Sequence, residues 1–105
     1  GLERSVGTSM GKERKRQEAE DRNLRYKQLK PLEKRLAIVE SRLEVLMAEN
    51  EQLQSELADS NIYDTDQKDR LMKTMEQQRN IKDEERGLMA DWDELNLSIE
   101  QIQNP

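Results

Sequence analysis

Between Leu29 and Leu57 the apolar residues recur three and four positions apart. The series is Leu29, Leu32, Leu36, Val39, Leu43, Leu46, Leu53 and Leu57, with Asn50 its one polar member. Such spacing keeps one side of a helix apolar and is the a/d seam of a coiled coil. The flanking positions mix charge signs, as in Glu33, Arg35, Glu40, Arg42, Glu49 and Glu56. An Asn in a seam of this kind costs stability and specifies register. A second seam with the same spacing runs through Leu71, Thr74, Gln78, Ile81, Glu85, Leu88, Trp92, Leu95, Ile99 and Ile102. Its first half is poorer in large apolar residues, and Met72, Met75 and Met89 are expected to widen the stripe there. Gly87 is a weak point, costing about 1 kcal/mol relative to Ala in a helix interior.

The stretch between the seams, Ala-Asp-Ser-Asn-Ile-Tyr-Asp-Thr-Asp from Ala58 to Asp66, reads as a turn. Asp, Ser and Asn compete for backbone hydrogen bonds and stop helices. Asp64 with Gln67 three residues later forms a candidate capping box for the second helix. Ile62 and Tyr63 are expected to cover the open end of the coil. Pro31 lacks an amide hydrogen and is expected to kink the first helix or open a new one. Two seams joined by a turn predict an all-α fold, a two-helix antiparallel coiled-coil hairpin with an irregularity near Pro31. The expected divisions are a flexible leader over residues 1–11, a helix over about 12–58 with a break near 31, a turn over 59–65 and a helix over about 66–103.

Lengths extend the hairpin upstream of the proline. At about 1.5 Å per residue the second helix is about 55 Å long, whereas the segment from Pro31 to Leu57 covers only about 40 Å. Leu95, Ile99 and Ile102 are therefore expected to pack on residues before Pro31. Folding about Ile62 sets Trp92 near Leu32.

Composition narrows the chemistry. Of the 105 residues, 39% are charged and 32% hydrophobic, and there is no Phe. Trp92, Tyr26 and Tyr63 are the only aromatic residues, too few to fill a thick two-layer core. The absence of Cys and His removes Cys/His zinc sites, thiol catalysis and His-based acid–base chemistry. The carboxylates Asp83, Glu84, Glu85, Asp91, Asp93 and Glu94 read as a solvated face, because a two-helix rod offers no cleft to shift their pKa values. No catalytic residue, metal site, cofactor or small-molecule substrate is expected. With no Cys, no apolar run near the roughly 20 residues that span a bilayer and no visible signal peptide, the expected setting is cytoplasmic.

Charge separates the two ends of the chain. Residues 1–42 carry 12 Lys and Arg against 7 Asp and Glu, and residues 43–105 carry 6 against 16. A polyanion would have to approach the N-terminal half. The candidate contacts are Lys12, Arg14, Lys15 and Arg16, with Arg22, Arg25 and Lys27 extending the strip along the helix. The bland reading of the first four is a solvated, charge-extended linker. For Arg22, Arg25, Lys27, Lys30, Lys34 and Arg35 it is internal pairing with Asp91, Asp93, Glu94 and Glu100, which the hairpin sets nearby. Trp92 lies in heptad phase and reads as core rather than as a base-stacking platform. A cation–π contact with Lys30, Lys34 or Arg35 would supplement that packing.

Four features in order resemble a known module: Arg-Asn-Leu-Arg-Tyr-Lys-Gln-Leu-Lys-Pro-Leu-Glu at Arg22–Glu33, the Glu-rich heptads, Leu-Ala-Asp-Ser-Asn-Ile-Tyr-Asp at Leu57–Asp64, and Trp-Asp-Glu-Leu at Trp92–Leu95. Over about residues 12–103 the chain resembles the C-terminal domain of ABC-F ATPases of the Uup-type branch. The resemblance implies a helical hairpin that follows two ATP-binding cassettes in a soluble cytosolic ATPase, with ribosome or DNA association. The chain itself holds no Gly-x-x-x-x-Gly-Lys-Ser/Thr phosphate loop, so it is expected to bind no ATP and to be no enzyme. The expected function is a monomeric interaction module that binds nucleic acid, DNA or ribosomal RNA, without sequence preference. The alternative is a structural coiled coil for self-association or protein-partner binding.

Overall fold

The computed structural model describes the backbone of residues 2–105 and the side chains of residues 9–105. Helix α1 spans Leu2–Ala58 and helix α2 spans Lys68–Gln103. Two short 3₁₀ turns, Ser60–Tyr63 and Thr65–Gln67, connect them. The helices run antiparallel, as the ion pair Arg42–Glu84 and the contact of Trp92 with Glu40 require. The result is a rod of 95 × 16 × 15 Å. No helix is long and apolar enough to cross a membrane among the described residues.

Both seams emerge as the helix–helix interface. Every seam residue of α1 from Leu29 to Leu57, and of α2 from Leu71 to Ile102, is buried or half-buried. The core is one residue thick: Leu46, Leu53 and Ile81 form its centre, with Leu88 packed against them. Leu46 retains only 1% of its accessible surface. Two polar groups are buried in this seam. Thr74 is buried, and its hydroxyl donates to the Arg70 carbonyl at 2.8 Å, with Glu56 Oε2 at 3.3 Å. Asn50 Oδ1 is buried without a hydrogen-bond partner, an energetic cost consistent with a register-specifying role. Met72, Met75 and Met89, expected to widen the stripe, are exposed instead. Helical phase places Met75 and Met89 beside the seam and Met72 farther round the helix, and two helices cover only their facing sides.

The turn departs from expectation in its capping. Asp64 makes no side-chain capping bond to the residues after it. Its carbonyl accepts from the Gln67 amide at 2.9 Å, because the second 3₁₀ turn satisfies that amide through the backbone. The capping carboxylate is Asp59, whose Oδ1 accepts from the Asn61 amide at 3.0 Å. Ile62 closes the end of the coil and is fully buried. Tyr63 does not cover that end. Its ring is exposed, and its hydroxyl donates at 2.7 Å to the carbonyl of Leu57, one of the last-turn carbonyls that α1 leaves without an intrahelical partner.

Helix α1 continues unbroken through Pro31. Pro31 and Lys27 are both exposed, so the carbonyl of Lys27, which loses its usual amide donor to the proline ring, faces water. Residues 2–11, expected in the flexible leader, are also helical. Continuing an existing helix through Gly11 costs only about 1 kcal/mol, whereas starting a new one is the unfavourable step. The side chains of residues 1–8 of that leader lie outside the described residues.

The last turn of α2, with Ile102, packs upstream of the proline, whereas Leu95, expected there too, lies just downstream of it. Leu32 lies beside Leu95, and Asp21, Leu24, Arg25 and Gln28 lie beside Gln101, Ile102 and Pro105. The stagger differs from the expected one by about a helical turn. Leu32 borders Leu95, three residues beyond Trp92, and the Trp92 indole nitrogen reaches Glu40. The two 3₁₀ turns displace the fold point past Ile62 and delay α2 to Lys68.

Candidate nucleic-acid interface

Helix α1 is 57 residues long and α2 is 36. At about 1.5 Å per residue, α1 outruns its partner by about 30 Å. Lys12, Arg14, Lys15 and Arg16 stand on this unpaired extension, and all four are exposed. Their helix forms locally because Glu, Arg, Lys, Gln and Ala fill residues 12–20, all strong helix formers. Arg16 pairs with Glu13 one turn back and lies 4.0 Å from Glu20. Its charge is therefore partly neutralised, while Lys12, Arg14 and Lys15 form no ion pair among the described residues.

The remaining candidates lie where the two helices run together. Arg22 and Lys27 are exposed. Arg25 is half-buried, in the phase of the seam, against Gln101, Ile102 and Pro105. Its stem covers the last turn of α2, so it is the one candidate that α2 takes away from the free surface. The others divide by helical phase. By the 3.6-residue period, Arg14 shares the side of Arg25, Lys15 and Arg22 lie on one flank, and Lys12, Arg16 and Lys27 lie on the side turned away from α2.

Internal pairing of the second basic group is not what the structure shows. Among the described residues, ion pairs within 4.0 Å involve Arg16, Arg42 and Arg86. None involves Arg22, Arg25, Lys27, Lys30, Lys34 or Arg35. Arg35 alone of these is brought to the acidic side of α2, where it borders a depression shared with Asp91 and Glu94. The cation–π contact expected at Trp92 is replaced by two other arrangements. Lys30 Nζ lies 6.0 Å from the centre of the exposed Tyr26 ring, one turn back on the same helix. Trp92 is half-buried, with Nε1 donating to Glu40 Oε1 at 3.3 Å.

One electrostatic contact was hidden in the sequence. Arg42 holds Glu84 by two hydrogen bonds, Nε to Oε2 at 2.5 Å and an Nη to Oε1 at 2.9 Å. The hydrogen bonds from Arg42 hold the Glu84 carboxyl below its ordinary pKa, and the same bonds raise that of Arg42. Mixed flanking charges signalled that such pairs form, but only the stagger of the helices selects which. No protein-family model, curated protein or solved structure matches this chain.

Proposed function

We propose that the chain is a non-enzymatic interaction module of an ABC-F-type ATPase, and that it contacts nucleic acid through the cations of α1. The observation that carries this reading is the lysine and arginine side chains that α1 exposes on its unpaired extension and beside it, of which only Arg16 has an internal ion-pair partner among the described residues. Their counterions are free to be released when phosphates replace them, the main source of sequence-independent affinity for DNA and RNA. A helical rod carries no groove-reading arrangement, so the contacts position the protein on the backbone and leave base sequence unread. The four sequence features resembling the Uup-type domain agree with this reading, which places the chain in the cytoplasm.

The test is a titration of the protein with duplex DNA and with structured RNA at two salt concentrations. Binding at low salt that collapses on raising salt supports the proposal. Reversing Lys12, Arg14, Lys15 and Arg16 to Glu should abolish it with helicity unchanged, because none of the four lies in the interface. Undiminished binding by that variant defeats the site assignment, and no binding by the parent defeats the function.

A second reading has one observation in its favour. Ile38 and Val45 are exposed seven residues apart on the outer side of α1, with Ser41 and Ala48 completing a three–four spacing. A structural coiled coil that associates with a partner helix would use this face, and sedimentation equilibrium detects the self-associating form.

A further inference from the structure

Helix α1 turns one side to α2, defined by the buried and half-buried residues Arg25, Leu29, Leu32, Leu36 and Val39. The opposite side looks into solvent. By the 3.6-residue period, Lys12, Arg16, Lys27, Lys30 and Lys34 all fall within about 60° of one another on that outer side, and all five are exposed. Lys30 and Lys34 belong here rather than to the acidic face of α2, and neither makes an ion pair among the described residues. We infer that these five residues form a single stripe of phosphate contacts, and that Lys30 and Lys34 are binding residues. This inference rests on the nucleic-acid reading above and chooses among its cations.

Three physical features support the stripe. It faces away from Asp91, Asp93, Glu94 and Glu100, which all lie on α2, so the body of the protein stands between those carboxylates and an approaching polyanion. The contact with Tyr26 holds the Lys30 head near the helix surface, which lowers the entropy lost when a phosphate binds. From Lys12 to Lys34 the stripe runs about 33 Å, close to one turn of duplex DNA at about 34 Å. Its cations fall in two groups, Lys12 with Arg16 and the three lysines from Lys27 to Lys34, with Asn23 on the same side between them. A straight rod laid along a duplex meets the sugar–phosphate backbones only where they cross it, and two groups suit two such crossings.

The experiment compares two triple variants of the full chain on duplex DNA across a salt series. The first is Lys27→Gln with Lys30→Gln and Lys34→Gln. The second is Arg14→Gln with Lys15→Gln and Arg22→Gln, which removes the same charge from other sides of the same helix. Gln preserves helix propensity, and circular dichroism confirms equal helicity. The stripe requires the first variant to lose about 2.7 from the magnitude of the log–log salt slope, about 0.9 for each phosphate contact, and the second to lose less than half as much. Equal losses, or a larger loss in the second, overturn the stripe while leaving nucleic-acid binding intact. A parent chain that does not bind at low salt overturns both together.

Discussion

Truncating Leu46 to Ala tests the one-layer core most directly. Leu46 is the most buried seam residue of α1, at 1% exposure, and packs with Leu53, Ile81 and Leu88. The substitution removes three buried carbon groups. At about 0.8 kcal/mol each, the transfer contribution alone is about 2.4 kcal/mol. A residual cavity adds to this, and measured Leu→Ala costs span about 2–5 kcal/mol. In a two-helix rod the void lies close to solvent and its walls relax easily, so about 3 kcal/mol is expected. Domains of this size are stable by only about 5–15 kcal/mol in total. At roughly 4–8 °C per kcal/mol for a chain near 100 residues, the melting temperature should fall by about 12–24 °C. The internal control is Val45→Ala, one residue earlier on the outer side, which should cost within about 0.5 kcal/mol. Urea unfolding followed by circular dichroism at 222 nm measures both. Similar losses in the two variants would mean that the seam is not the interface. Helicity of the parent that falls on dilution would mean that the seam closes between chains rather than within one.

Two further outcomes follow from the polar groups of the interface. Asn50→Leu removes the buried, unpartnered Oδ1 and should raise stability by about 1–3 kcal/mol; a lower melting temperature would show that Asn50 is satisfied in solution. Because the folded Glu84 carboxyl is held below its ordinary pKa by Arg42, its contribution is fully present above the unfolded value near 4.3 and is lost as pH falls through the lower folded value. Glu84→Gln should therefore flatten the acid limb of the stability profile relative to the parent, by a small amount because both groups are exposed. An unchanged limb would remove the pair from the account.

The two seams were readable without coordinates, from Leu29 to Leu57 and from Leu71 to Ile102, because the 3.6-residue period ties sequence spacing to a side of the helix. Ile62 was readable as the cover of the coil end because it is an apolar residue in a polar turn, and Ile102 as lying upstream of Pro31 from chain length and the rise per residue. Stagger was a different matter. Which residues of α2 fall beside Leu32 and Glu40 depends on how far the connection advances in space, and that follows from 3₁₀ turns held by the Asp59 cap and the Tyr63 hydroxyl. Composition did not reveal these contacts. Stagger in turn selected the pairing of Arg42 with Glu84. Tertiary structure also sorted the cations of α1. In the sequence they form one basic run, but the position of α2 takes Arg25 into the interface, brings Arg35 to carboxylates and leaves Lys30 and Lys34 facing water. A side chain's distance from its own neighbours is set by the helix alone, whereas its distance from the other helix is set by the turn.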